Sequence, residues 1–192
     1  MTGVPALVSL ATHPAATTGN LQVTYLDPRT GDKHHRADIA RRTFGSFQSW
    51  ARERSEAVQH CCQLTPGSGG RTSVVCEGVE TGLSVLQALP DVHLVATLGK
   101  NNFPRVDPNM LNKKVILVMD NDGVQQMDAD VVFQTTVRKL LQSGKEVHYL
   151  LPPLLDGHKK TDMNDVLGKV GVGGVYDVIT NYLRGHYQKF KS

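Results

Sequence analysis

Two aspartates, Asp120 and Asp122, follow directly on an apolar run at residues 115–119. Such a run is typical of a strand that is buried on both faces of a parallel sheet. Open α/β sheets bind ligands beyond the carboxyl ends of their strands, and alternate residues of an extended segment point the same way. The two carboxylates can therefore converge on one cation, and without a cation they would repel each other. The alternative is a solvated turn, because Asp, Asn and Gly are common turn residues.

A second acidic turn places Glu77 in a comparable position. Residues 73–76 form a short apolar run, and apolar residues recur at helical spacing from Val79 to Leu89. Since Glu77 and Gly78 lie between these two patterns, the segment predicts the start of a βα unit. We expect Glu77 at the same edge of the sheet as the Asp pair. Its alternative role is to place negative charge at a helix N-terminus.

Four short apolar runs predict the strands of one sheet, near residues 73–76, 92–98, 114–119 and 146–151. A helix with a Ser-Gly stop is predicted between the last two, from Asp128 to Gln142. Strands that alternate with helices predict an α/β fold, with a mostly parallel four-stranded sheet flanked by helices.

The first seventy residues read as a separate α+β appendage, so the predicted domains are 1–70 and 71–192. Leu21 to Leu26 predicts a strand, and residues 27–32 predict the turn of a hairpin. Two interpretations of the next segment stay open, a helix over residues 46–62 or a short strand within 57–64.

Composition limits the class of protein. The chain has 192 residues, of which 40% are hydrophobic and 20% are charged, and this suits one globular domain with a modest appendage. No apolar stretch is long enough to span a membrane, and no secretory leader is recognisable. Three cysteines form neither a disulfide framework nor a zinc pattern, so we expect a reducing, cytoplasmic location.

One cluster of basic residues lies in the appendage. The formal net charge of +3 permits a nucleic-acid partner without requiring one. Arg36, Arg41 and Arg42 form a cluster that predicts contact with phosphates, although a solvated surface is the alternative. Lys100 follows the strand near residues 92–98, so it is expected near the acidic edge, where it can contact a phosphate or remain an exposed loop lysine.

The Glu-Gly turn after one strand and the Asp-x-Asp turn after a later strand resemble the pattern of the Toprim domain. Bacterial-type primases, type IA and type II topoisomerases, certain nucleases and RecR-type repair proteins share this domain. The resemblance covers roughly Arg71 to Leu167. Two segments are most similar to the Toprim domains of phage and plasmid primase-helicases and conjugative relaxases. These segments are Cys76-Glu77-Gly78-Val79-Glu80-Thr81-Gly82-Leu83-Ser84 and Ala96-Thr97-Leu98-Gly99.

This resemblance implies the roles of particular carboxylates. Glu77 matches the family's glutamate, and Asp120 and Asp122 match its aspartate pair, which implies catalytic and metal-binding roles for all three. Asp162 and Asp165 resemble the later acidic segment of primase Toprim domains and imply further metal ligands, although the usual proline between the acids is missing. Hard oxygen ligands suit Mg²⁺ or Mn²⁺.

Metal ions held by such carboxylates can orient a nucleotide triphosphate and activate a 3′ hydroxyl, or they can activate water to cut a phosphodiester. The resemblance therefore implies Mg-dependent processing of nucleic acid, foremost primase-like nucleotidyl transfer on single-stranded DNA with nucleotides as substrates. The chain is short for a complete primase, so we expect it to be part of a larger DNA replication or conjugative mobilisation protein, or a stand-alone remnant of one. A nuclease and a non-catalytic module that binds metal and DNA are the alternatives.

The Asp120 turn also looks like the opening turn of haloacid-dehalogenase-type phosphatases. In that family the Asp-x-Asp motif lies near the N-terminus, whereas here about 115 residues precede the strand before Asp120. The interval from Asp120 to Asp162 is also short for that family's intervening elements. A calcium-binding EF-hand loop is excluded, because Gly123 stands at loop position four instead of six.

Overall fold

The computed structural model describes residues 3–12, 19–35, 40–45, 61–65, 70–122 and 130–185. The chain divides into two compact units, Met1–Cys62 and Gln63–Ser192. Whether residues 1–70 and 71–192 fold independently is a separate question, so the domain boundary between residues 70 and 71 stays a prediction.

The first unit contains a three-stranded antiparallel sheet in the order β1-β2-β3, formed by Ala6–Ala11, Asn20–Tyr25 and Arg41–Phe44. The predicted strand at 21–26 corresponds to β2, and the turn after it is closed by an antiparallel bridge between Leu26 and Lys33. The helix considered for residues 46–62 falls almost entirely outside the described residues. Its alternative, a short strand, is represented by β4 at Cys62–Gln63.

Polar side chains lie on the buried face of this small sheet. Ser9, Gln22 and Thr24 are buried, whereas Val8 and Leu10 are exposed. Alternation along a strand shows that its two faces differ, but it does not show which of them is covered.

The second unit is built on a five-stranded sheet in the order β4-β6-β5-β7-β8. Its strands after β4 are β5 (Thr72–Cys76), β6 (His93–Ala96), β7 (Lys114–Val118) and β8 (Glu146–Leu150). Pairing is parallel between β5 and β6, β5 and β7, and β7 and β8. The prediction of four parallel strands within an α/β fold is therefore confirmed, and β4 adds a short edge strand.

The order of these strands positions the site. After β5 the chain adds β6 on one side of β5, and it then crosses back to add β7 on the other side, so the direction in which strands are added reverses at β5. Such a point of reversal opens a crevice at the carboxyl ends of the strands, and open α/β sheets use that crevice to bind ligands.

Among the described residues, three α-helices accompany this sheet, namely α1 (Val79–Ala88), α2 (Val131–Gln142) and α3 (Met163–Gly185), which has a kink at Gly171. Helix α1 packs against α3 and lies close to the sheet at Gly82, where an added Cβ would approach Leu94 to within 2.7 Å. The core is made by the buried apolar residues of these strands and by large side chains such as Phe103 and Phe133. Within the described part of the chain, no helix is long and apolar enough to cross a membrane.

A buried histidine lies at the amino end of the sheet. His93 is buried, and its Nδ1 lies 2.9 Å from the Ser73 hydroxyl, which accepts a hydrogen bond from the backbone of Asn112. Within the described residues, the Nε2 atom of His93 has no hydrogen-bond partner. Burial lowers the pKa of His93, because the interior disfavours the charged imidazolium.

We expect His93 to make the protein less stable in mild acid. Below about pH 6.5 the unfolded chain takes up a proton that the folded chain does not yet bind, so stability falls with decreasing pH until the lowered pKa is passed. The slope from one such group is at most about 1.4 kcal/mol per pH unit. His93→Asn should flatten the dependence in urea unfolding between pH 7 and 5. The exposed control His158→Asn should retain it, and an unchanged slope in His93→Asn would contradict the prediction.

Candidate metal centre

The carboxylates that the sequence singles out lie at the carboxyl ends of two neighbouring strands. Glu77 follows β5 immediately, and Asp120 and Asp122 follow β7 after Met119. The last residues of these strands, Cys76 and Val118, are paired in parallel register, so both acidic turns leave the same edge of the sheet. Glu77 and Asp120 are partly buried and Asp122 is exposed, while the Oδ1 atom of Asp120 is shielded from solvent.

The turn after β6 reaches across to the Glu77 turn. Thr97 donates hydrogen bonds from its backbone and its hydroxyl to the carbonyl of Cys76, and Gly99 donates one to the carbonyl of Glu77. Leu98 has a φ of 60° and Gly99 a φ of 141°, a left-handed backbone that is unfavourable for leucine. Such conformations persist where the surrounding hydrogen bonds enforce them, and here they deliver Lys100 to this edge.

Lys100 is fixed by Asp130, an aspartate that is not among the predicted site residues. Its ammonium lies 2.6 Å from Asp130, whose other oxygen accepts the backbone N–H of Phe133 and so caps the N-terminus of α2. The hydrogen bond to Asp130 raises the pKa of Lys100, and the charges of Asp122 and Glu77 add to the effect. Burial alone would raise the pKa of Asp130, but the Lys100 ammonium and the cap hydrogen bond hold it below its ordinary value.

The Asp120–Asp122 turn is attached to the segment that precedes α3. Asn121 and Thr161 exchange two backbone hydrogen bonds, of 2.8 and 2.9 Å, and the Asn121 amide donates to the carbonyl of Pro152. Thr161 is buried, and its hydroxyl accepts the backbone N–H of Leu155. This isolated antiparallel bridge fixes the acidic turn relative to residues 160–162.

Asp162 and Asp165 begin helix α3 with reciprocal hydrogen bonds. The backbone N–H of Asp162 donates to the Asp165 carboxylate at 2.9 Å, and the backbone N–H of Asp165 donates to the Asp162 carboxylate at 2.8 Å. This arrangement is a capping box, which satisfies helix N–H groups that otherwise lack partners. The two aspartates therefore have a structural role, and the predicted role as metal ligands stays a prediction.

Lys160 lies against the candidate metal ligands. Its ammonium is 2.9 Å from the Oδ1 atom of Asp122. This hydrogen bond raises the pKa of Lys160, and the charges of Asp122, Asp120 and Glu77 contribute in the same direction. All three carboxylates thus lie within electrostatic reach of one ammonium group.

The donor chemistry at this edge fits a hard divalent cation, because it consists of carboxylate oxygens with a buried atom among them. The geometry is not preassembled. In the part of the chain that the structure describes, no three His, Cys, Asp or Glu side chains are grouped closely enough to hold a metal ion. The assignment of Glu77, Asp120 and Asp122 as ligands therefore stays a prediction, and it requires side-chain movement when an ion binds.

The predicted nucleic-acid contacts are distributed over both units. Lys100 lies at the acidic edge of the second unit, whereas Arg41 and Arg42 are exposed on β3 of the first. Arg36 lies outside the described residues. Two residues at the edge were missed by sequence reasoning, namely Asp130 and Lys160. For Asp130 a signal existed, because Asp is a preferred residue immediately before a helical pattern.

Comparison with known proteins identifies the family. A profile described as the Toprim domain matches residues 72–173, which is more than half of the chain. The chain belongs to the Toprim domain family. This confirms the resemblance at the level of the domain, and the Toprim match contains Glu77, both aspartates of the turn and the capping pair. None of the curated proteins compared with this Toprim chain matches it.

A solved structure shares the Toprim fold seen here. It is described as the crystal structure of a DNA primase domain from Pseudomonas aeruginosa, and it is similar to this chain with a TM-score of 0.53 and 16% sequence identity. The similarity covers 88% of this chain and 47% of that chain, so this chain spans about half the length of the primase domain. At this identity the comparison establishes similarity of fold.

Proposed function

We propose that this chain is a Mg²⁺-dependent Toprim domain that processes nucleic acid, with primase-like nucleotidyl transfer as its activity. The observation that carries the proposal is that the turns with Glu77, Asp120 and Asp122 leave the same edge of the parallel sheet, where Lys100 and Lys160 form ion pairs with aspartates. Carboxylates beside ammonium groups suit a phosphate-bearing substrate that arrives together with a divalent cation. The similarity in fold to a primase domain supports the same choice.

In this proposal the carboxylates bind the metal and a lysine binds phosphate. Glu77, Asp120 and Asp122 would hold Mg²⁺ or Mn²⁺, which would activate the attacking hydroxyl and neutralise the leaving pyrophosphate when bound. Lys100 is oriented by Asp130 and would bind a phosphate of the nucleotide or the template. Single-stranded DNA and nucleoside triphosphates are the proposed partners, in the cytoplasm and within a larger protein of DNA replication or conjugative mobilisation.

A non-catalytic Toprim module is the second candidate, and one observation favours it. Among the described residues the carboxylates do not form a ready three-ligand group, and such a site could hold metal and DNA while chemistry resides in another part of a larger protein. A Toprim nuclease would use the same carboxylates with water in place of the hydroxyl.

Primer synthesis and nuclease assays on the full chain, run side by side with Mg²⁺ and Mn²⁺, test this proposal. Primase-like transfer predicts labelled oligonucleotide products that require template, nucleotides and metal. Shortening of the template without synthesis would assign the nuclease. Metal-dependent binding of DNA with neither activity would assign the non-catalytic module.

The basic cluster of the first unit gives a separate expectation. Changing Arg36, Arg41 and Arg42 together to Ala should weaken binding of single-stranded DNA and lower its dependence on salt. Each phosphate contact contributes about 0.7 to the slope of log K against log salt on a single strand, so three contacts contribute about 2. Fluorescence anisotropy between about 50 and 200 mM salt measures the slope.

A triple variant of other exposed arginines, Arg29, Arg71 and Arg138, is the control for that experiment. It removes the same net charge from different surfaces and should leave the slope near that of the wild type. Equal slopes in the two triple variants would show that net charge alone matters, and the cluster would then be an ordinary solvated surface.

A further inference from the structure

Lys160 belongs to the loop between β8 and α3, and its side chain is 75% exposed. The ion pair with Asp122 is therefore of the surface type, which on its own stabilises a protein by less than about 1 kcal/mol. Forming such a contact costs conformational entropy in the side chains and in the backbone, and the backbone part of this cost is absent where the backbone on both sides is already held in place.

The backbone around this ion pair is held on both sides. Asn121 and Thr161, which exchange two backbone hydrogen bonds, are the immediate neighbours of Asp122 and Lys160. Thr161 is anchored by burial and by the Leu155 hydrogen bond, and the capping box of α3 begins at the next residue. The Lys160 side chain therefore starts from a fixed point beside the acidic turn.

The two lysines at this edge differ in their partners. Lys100 contacts Asp130, a helix cap that is not among the predicted metal ligands. Lys160 contacts Asp122, which is one of those ligands, and also lies within reach of the charges of Asp120 and Glu77. A divalent cation at the three carboxylates would compete with the Lys160 ammonium for the same negative charge.

We propose that Lys160 is a phosphate-binding residue of this site, and that it is released for this contact when a divalent cation takes its place beside Asp122. The inference rests on the proposed function and deepens it. Two positive charges repel at short distance, so the ammonium swings away from the ion on its flexible four-carbon stem. The edge then presents both the ion and an ammonium to a phosphate. The phosphate belongs to a nucleoside triphosphate or to a single strand of DNA.

Three variants of the full chain test the exchange, Lys160→Gln, Lys160→Arg and the neighbouring control Lys159→Gln. Lys159 forms no hydrogen bond or ion pair within the described residues, so this control removes one charge from the same loop. Mn²⁺ affinity is measured first by calorimetry, with the metal as the only ligand. Removing the competing ammonium in Lys160→Gln should tighten Mn²⁺ binding roughly two- to fivefold, because the exposed ion pair no longer has to be broken.

Phosphate affinity is measured next, with Mn²⁺ present and with two probes, a single-stranded oligonucleotide and a nucleoside triphosphate. Lys160→Gln should weaken one of them, and the weakened probe identifies the source of the phosphate. For the oligonucleotide, the salt slope should fall by about 0.7, the contribution of one contact. Lys160→Arg keeps the charge, so its affinities for metal and for phosphate should equal those of the wild type.

The proposal predicts opposite changes in Lys160→Gln, namely tighter binding of Mn²⁺ and weaker binding of phosphate. Loss of a purely structural lysine would not strengthen the binding of one ligand and weaken that of the other. Wild-type affinities of Lys160→Gln for both probes would overturn it, even if metal binding were tighter. Unchanged metal affinity together with weaker phosphate binding would overturn the exchange. Failure of the proposed function looks different, because then the wild type itself binds no Mn²⁺, and the exchange is overturned along with the site.

Discussion

Asp120→Asn is expected to remove most of the rise in melting temperature that Mg²⁺ or Mn²⁺ produces in the wild-type chain. At a metal concentration of about one hundred times the dissociation constant, binding to the folded state adds about 2.7 kcal/mol. For a chain of this size that corresponds to a rise on the order of 5–10 °C. The variant should show little of this rise at any concentration that saturates the wild type.

The physical reason is the position of Asp120. One of its oxygens is shielded from solvent, and Asp122 and Glu77 lie at the same edge of the sheet, so several negative charges are held with limited hydration. Asparagine keeps the shape of the side chain and removes the charge. Without metal, Asp120→Asn should therefore be at least as stable as the wild type, because repulsion with the neighbouring carboxylates is relieved.

Differential scanning fluorimetry with and without metal measures both expectations. Asp177→Asn, on an exposed position of α3, is the matched control and should retain the full metal-induced rise. A full rise in Asp120→Asn would mean that the metal binds elsewhere, and the candidate site would then have to be abandoned.

The large sheet could be predicted from sequence because its strands are buried on both faces. In β5 and β7 the four residues after the first are all buried, so β7 appears in the sequence as an uninterrupted apolar run and β5 as the apolar run Val-Val-Cys after a serine. The end of such a run also marks the end of the strand. The placement of Glu77 and Asp120 at one edge follows from those ends together with parallel pairing.

The small sheet could be predicted only in part. Strand β1 has an apolar composition that fits several structures, and only its antiparallel partner β2 decides among them. On these strands the polar residues are buried and Val8 and Leu10 are exposed, which is the reverse of the usual pattern. Local sequence does not contain the information about what covers each face.

The rest of the candidate site depends on contacts between distant segments. Lys160 reaches Asp122 because Asn121 and Thr161 form a bridge across about forty residues of sequence, and nothing local in either segment predicts that pairing. The spacing of Asp162 and Asp165, in contrast, could have been recognised. Two acidic residues three apart before an apolar helical pattern are typical of a capping box.

Glu77→Gln should reduce the metal-dependent activity of the chain by about 100-fold or more, in whichever of the synthesis and cleavage assays the wild type is active. Loss of even an outer partner of a metal ligand lowers affinity or activity by about 10- to 100-fold, and Glu77 is proposed to contact the metal directly. The amide keeps the size of the side chain and removes the negative charge that would bind the cation. Folding should be preserved, because Glu77 is only partly buried.

Glu80→Gln is the control in the same turn, since it makes the identical chemical change three residues away. Glu80 lies in the first turn of α1, where its charge stabilises the helix N-terminus by about 0.3–1 kcal/mol. The control should retain activity within about twofold of the wild type and lose a little stability, whereas Glu77→Gln should lose activity and keep its stability. Equal losses of activity in the two variants would assign the effect to the total negative charge of the turn. Full activity in Glu77→Gln would exclude this glutamate from the metal site.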